Sequence, residues 1–327
     1  MNLVQLPARA LASLLSPAGP RARLSVLIYH RVLARPDPYR PGDPTLAAFE
    51  WQMALLARQF NVLPLPEALT RLAAGTLPAR AACVSFDDGY RDNLTLAVPV
   101  LRRFGISATF FVATDFLDGG AMWNDCLIEA VAGAACGALD LSDHGLPRFE
   151  LTDLTSRLAC LKSLLPAAKH LEPGRRSQVV ADVTERCQLR APPRPMLTTP
   201  ELKALHAAGM EVGGHTCSHP ILTRQDDVTA RRELADGRDR LAELIGSPPR
   251  LFAYPNGKPG DDYDARHVAM ARDLGFEGAV CTAWGAARRG DDLFQIPRFT
   301  PWDSTPMRFH ARLLANLARR ETLPARV

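Results

Sequence analysis

Short apolar runs recur along the chain, with helical patterning between them. The runs are Leu24–Tyr29, Asn61–Leu65, Ala81–Phe86, Ser107–Val112, Met210–Gly213, Leu251–Tyr254, Gly278–Thr282 and Gln295–Phe299. Each has the length and apolar character of a buried strand. Ala47–Gln59 and Asp226–Ile245 instead place apolar residues at three- and four-residue spacing, which lays one stripe along a helix. Thr199-Pro200-Glu201 reads as a helix start, a capping residue followed by proline at the first position, and Gly209 as its stop. Strands that alternate with helices form a parallel sheet. The fold class is therefore α/β, and a distorted or incomplete (β/α) barrel fits both the pattern and a length of 327 residues.

Residues 117–196 break this rhythm. They carry helical patterns over Asp125–Ala135, Thr152–Leu165 and Arg176–Leu189, a short candidate edge strand at Phe149-Glu150-Leu151, and a proline-rich joint at Ala191-Pro192-Pro193-Arg194-Pro195. They read as a helical insertion that leaves the barrel just after a strand. There it would either wall a substrate groove or form a pad on the outside. The organisation expected is an extension over 1–23, a barrel over 24–320 interrupted by 117–196, and a tail over 321–327.

Composition narrows the function classes. The formal net charge is only +4, and the arginines occur as scattered pairs such as Arg102-Arg103 and Arg231-Arg232. Such pairs read as solvated helix faces, so nucleic acid is not an expected partner. No apolar stretch reaches the length of a membrane helix. The seven cysteines form no Cys-x2-Cys pair and sit mostly in apolar surroundings, which suits a reducing compartment. The amino terminus lacks a charged n-region, so no secretory signal is read there. Ala8 to Leu15 suits a short amphipathic helix that packs on the barrel or touches a membrane surface. The expected location is cytoplasmic, or peripheral at the inner face of the membrane.

Two segments carry the chemistry. Asp87 and Asp88 close the run Ala81–Phe86 and precede Gly89; His215 and His219 follow the Gly213-Gly214 turn four residues apart. One carboxylate and two imidazoles make a three-ligand site for a divalent metal with room for water. The second carboxylate is then free to act as a base on that water.

With these motifs the chain resembles the polysaccharide deacetylase family, the NodB-homology domain of carbohydrate esterase family 4. Ser85-Phe86-Asp87-Asp88-Gly89 matches its first motif, and His215-Thr216-Cys217-Ser218-His219-Pro220 its second. Arg250-Leu251-Phe252-Ala253-Tyr254-Pro255-Asn256-Gly257 is a variant of its Arg-Pro-Pro-Tyr-Gly loop. The resemblance covers roughly residues 24–116 and 197–300. It implies that Asp87 is the base, that Asp88, His215 and His219 hold the metal, and that the Asn256 amide donates to the oxyanion. Three positions depart from the family pattern. The loop arginine that usually steadies the base falls at Ala253, the usual aromatic falls at Asn256, and the late Leu-x-x-His motif is replaced by Gln295-Ile296-Pro297-Arg298-Phe299. The general acid must then come from elsewhere. Tyr29-His30-Arg31-Val32 looks like the amino-terminal motif of the exopolysaccharide-type subgroup, which makes His30 the candidate. His30 is also the one remaining histidine that follows a strand-like run.

The resulting expectation is a metal-dependent hydrolase that removes N-acetyl groups from a polysaccharide or oligosaccharide. Zinc is the first choice, with cobalt, nickel or iron able to use the same ligands. Tyr254, Pro255, Trp302 and Arg298 are the candidate substrate contacts. The rival readings are a C–N hydrolase of small cyclic amides on the same fold and an inactive carbohydrate-binding relative.

Overall fold

The computed structural model describes residues 5–189, 194–301 and 303–319. The chain divides into two compact units, one of residues 1–36, 42–118 and 197–327, the other of residues 37–41 and 119–196.

The larger unit is built on a single sheet. Its strand order is Ala287–Arg288, Arg23–Tyr29, Ala81–Phe86, Thr109–Val112, Glu211–Gly214, Leu251–Ala253 and Gly278–Val280. Asn61–Val62 adds beside Ala81–Phe86, and Arg298–Phe299 beside Arg23–Tyr29. All pairings in this sheet are parallel except that of Ala287–Arg288. Ile296 bridges to Val280 and Arg298 pairs with Val26, so residues 296–299 tie the last parallel strand back to the first. The result is a nearly closed (β/α) barrel, as the alternation of runs implies.

Alternation along Ala81–Phe86 sorts its side chains into two layers. Ala82, Val84 and Phe86 pack with Phe49, Met53, Leu101 and Leu202. These belong to helices Leu46–Gln59, Val98–Arg103 and Thr199–Ala207. Ala81 and Cys83 face the other way and join Val26, Phe111, Ala253, Val280 and Ile296. Leu65, Leu69 and Leu72 of helix Leu65–Ala74 belong to this second layer.

Two expected strands shrink to two residues each. Asn61–Leu65 reduces to Asn61–Val62, because Pro64 caps a helix and Pro66 sits in its first turn, where a fixed φ suits helix and not strand. Gln295–Phe299 reduces to Arg298–Phe299, since Pro297 has no N–H to give a ladder. Helices Ala265–Asp273 and Pro306–Ala318 carry His267 and His310. The amino-terminal helix Gln5–Leu15 packs against Pro306–Ala318. Among the described residues no helix is long and apolar enough to cross a membrane.

The smaller unit holds helices Trp123–Ala132, Leu154–Lys169 and Pro173–Arg186, and an antiparallel pair of Ala138–Leu139 with Phe149–Glu150. Leu127, Val131, Leu161, Leu164, Val179 and Val183 form its own apolar core. Arg40 ties the 37–41 segment to this unit by ion pairs to Asp125 and Glu129.

Candidate active site

Parallel strands all present their carboxyl ends on one side, and the reactive side chains gather there. His30, Asp87, His215 and Asn256 each lie within three residues of the end of a different strand. This is where (β/α) barrels build their sites.

Asp87 and Asp88 diverge at the end of Ala81–Phe86. Asp87 keeps the parity of Cys83 and Ser85. Arg298 holds it by two parallel bonds, Nη1 to Oδ1 and Nη2 to Oδ2, both 2.7 Å. Arg298 itself has no exposed surface, and it also donates to the Cys281 carbonyl and the Ser85 hydroxyl. Burial alone would push the Asp87 carboxyl up. The positive charge of Arg298 and its two hydrogen bonds outweigh it and hold the group below the usual carboxylate range. Asp88 turns the other way through a left-handed backbone, φ +77°, followed by Gly89 at +88°.

Asp88 Oδ1 lies 3.5 Å from Nε2 of His215 and 3.5 Å from Nε2 of His219. These separations are too long for hydrogen bonds between charged partners. They match the spacing of about 3.4 Å between ligands that share one ion at about 2.1 Å in tetrahedral geometry. One donor atom from each of the three residues lies within 4.8 Å of the others. The His215 Nδ1 is 2.7 Å from the Ala253 carbonyl, so the proton sits on Nδ1 and Nε2 keeps its lone pair for the cluster. Desolvation pushes His219 down to about 4 despite the neighbouring Asp88, so its imidazole is neutral at ordinary pH. The donor set, its tautomer and its spacing therefore fit a divalent ion.

The loops that carry these groups store strain. Asp88, Thr216, His219 and Asn256 all have φ between +55° and +77° without being glycine. Such backbone is uncommon and concentrates at functional sites. Gly213 lets the histidine strand pass Phe111, because a Cβ there would lie 2.4 Å from that ring. Asn256 is the central residue of a tight turn in which the Gly257 N–H donates to the Pro255 carbonyl at 2.6 Å. Among the described residues none accepts from the Asn256 N–H, which leaves it available to a ligand.

His30 is exposed and close enough to Asp87, Asp88 and His219 to act on each electrostatically. Asn93 Nδ2 donates to the His30 carbonyl at 2.9 Å. Asp92 accepts from Arg31 Nε and the Val32 N–H, so the segment is held on both sides. Asn93 opens a short π-helical turn, Asn93–Ala97, which follows Asp92 directly.

Three expected substrate contacts, Tyr254, Arg298 and Pro255, are corrected by burial. Tyr254 has no exposed surface; it stacks on Tyr263 and its hydroxyl donates to the Phe294 carbonyl. Arg298 is spent on Asp87. Pro255 is buried as well, and Trp302 lies outside the described residues. The arginine that the resemblance expects near Ala253 is replaced by Arg298 on the closing strand, which pairs with Asp87. The sequence signal for it was an arginine inside an apolar run at the place where the late motif lacks its histidine.

A nearly closed parallel barrel with a carboxylate pair and two imidazoles at its carboxyl rim defines a hydrolase-type site. The family model of polysaccharide deacetylases matches residues 74–157 and 176–279, and the chain belongs to the polysaccharide deacetylase family. It is 27% identical over 278 residues to a Bacillus subtilis (strain 168) protein, YxkH, itself assigned to the polysaccharide deacetylases; the match covers 85% of this chain and 71% of that protein. Two solved structures share the fold. IcaB from Ammonifex degensii aligns with a TM-score of 0.59 and 22% identity over 93% of this chain and 99% of that one. The Streptococcus pyogenes deacetylase PplD, solved in complex with acetate, aligns with a TM-score of 0.59 and 18% identity over 90% and 98%.

Proposed function

We propose that this protein hydrolyses N-acetyl groups of a polysaccharide or oligosaccharide with the help of a divalent metal ion. The observation that carries the reading is the meeting of Asp88, His215 and His219 at one point, beside an Asp87 clamped by Arg298. The acetate in the PplD structure fits the same reading, as the product of such a reaction. Asp88, His215 and His219 would hold the ion, zinc by preference. A bound ion lowers the pKa of water and polarises the acetyl carbonyl.

The chain's own groups do the rest. Asp87 takes the proton from the attacking water. Its pKa, held below the usual carboxylate range by Arg298, leaves it ionised near neutral pH, and Arg298 fixes its orientation. The Asn256 N–H donates to the carbonyl oxygen as that oxygen gains charge, a role that needs a donor already in place. His30 gives a proton to the departing amine nitrogen, and its exposure lets it recover one from solvent.

Treatment with a chelator is expected to abolish acetate release from a panel of N-acetylated oligosaccharides, and added Zn2+ or Co2+ to restore it. Release that persists undiminished in the chelated, metal-free protein rules the metal reading out. His30→Ala is expected to slow amide substrates by about 10²-fold, the usual weight of a general acid. Acetyl esters with good leaving groups need less protonation and should slow much less. Equal slowing of both would make His30 an orienting residue.

A further inference from the structure

The loop that carries the two histidines is held from behind by one carboxylate. Glu233 projects from helix Asp227–Ile245. Its Oε2 accepts from the backbone N–H of both Cys217 and Ser218, each at 2.9 Å, and its Oε1 accepts from the Ser218 hydroxyl at 2.6 Å. On the other side, the Thr114 and Asp115 N–H groups donate to the carbonyls of Thr216 and Cys217. The residues between His215 and His219 are therefore gripped through their peptide groups.

A groove of about 400 Å³ that opens to solvent, lined by Thr114, Asp115, Cys217, Glu233 and Asp236, borders the loop. The segment needs fixing, because Thr216 and His219 both sit in left-handed backbone, at φ +65° and +55°. Gly237, one turn beyond Glu233, brings the helix close: a Cβ there would stand 2.9 Å from the Thr216 carbonyl carbon and oxygen. The bare glycine backbone and the carboxylate together form one mould for the loop.

We propose that Glu233 is a positioning residue of the candidate metal centre, which sets the His219 imidazole opposite Asp88 through the Cys217 and Ser218 amides. The assignment rests on the reading that Asp88, His215 and His219 hold a metal. Partners behind metal ligands typically weigh about 10–100-fold in affinity. Glu233→Ala and the bulkier Glu233→Met remove the acceptors; the second also keeps the volume, should the first fail to fold. Both are expected to weaken Co2+ binding by about 10–100-fold and to change the visible Co2+ spectrum, while circular dichroism stays native. Glu233→Gln can keep all three bonds, with its amide oxygen on the two N–H groups and its NH2 on the Ser218 hydroxyl. It is expected to retain most of the affinity and the native spectrum.

The measurement is Co2+ titration of the full chain, followed by absorbance and by chelator competition. A folded Ala or Met variant with unchanged affinity and spectrum overturns the role of Glu233 and leaves the metal reading standing. A Glu233→Gln variant as weak as the Met variant also overturns the role as assigned, since the bonds alone would then not suffice. Failure of the unaltered protein to bind Co2+ sinks the metal reading itself, and the positioning role with it.

Discussion

Asp87→Asn is expected to bind metal as the unaltered protein does and to lose about 10²-fold or more in kcat. The substitution keeps the shape of the side chain and removes its basicity. Metal binding should survive because the three donors of the cluster are Asp88, His215 and His219, and Asp87 is not among them. KM should change little, since the group acts on water and not on the sugar. Metal content by atomic emission and acetate release by a coupled assay check the two halves separately. Near-normal turnover would reduce Asp87 to a structural partner of Arg298. Loss of metal along with activity would move Asp87 into the ligand set.

Arg298→Met should produce the largest loss of stability, about 3–5 kcal/mol, because it strips the partner from a carboxylate that is only 3% exposed. The direction with pH tests the cause. In the unaltered protein the Asp87 pKa lies below its unfolded value. Its contribution to stability is therefore present above that unfolded value and is lost as pH falls through the folded one. Without Arg298 burial dominates and the folded pKa rises above the unfolded value. The ionised carboxylate then destabilises the fold at neutral pH, and acid relieves the defect by protonating it. Denaturant midpoints between pH 7 and pH 4 should therefore converge for the two proteins as pH falls. A gap independent of pH would mean that Arg298 matters for packing against Phe111 and not for its charge. Adding Asp87→Asn to Arg298→Met should recover much of the lost stability, since no unpaired charge remains.

The convergence of Asp88, His215 and His219 was legible because it depends on local signals: a strand end, a glycine turn and a four-residue histidine spacing. The barrel was legible for a similar reason, as period and run length survive in one dimension. What failed was facing. Tyr254 and Arg298 both sit at strand ends, where the sequence marks the position but not whether the side chain turns to the groove or to the interior. Arg298 could be assigned to Asp87 only once residues 296–299 were known to close the sheet beside Arg23–Tyr29. Prolines likewise decided that Asn61–Leu65 and Gln295–Phe299 were mostly not strand, although their apolar runs looked complete. Glu233 shows a further limit. Its role comes from a helix crossing behind a loop, which no periodicity records.

Barrel closure also imposes a timetable on biosynthesis. Asp87 and Arg298 are separated by 211 positions, so at about 5–20 residues per second a ribosome makes them roughly 10–40 seconds apart. During that interval the carboxylate has no counter-charge and cannot be buried at low cost. The nascent chain must hold the end of Ala81–Phe86 open to water until the closing strand arrives. Late contacts between distant segments slow folding, and here one of them orders the candidate base. A chain cut short before residue 298 would carry Asp87, Asp88, His215 and His219 and still leave Asp87 without its guanidinium partner.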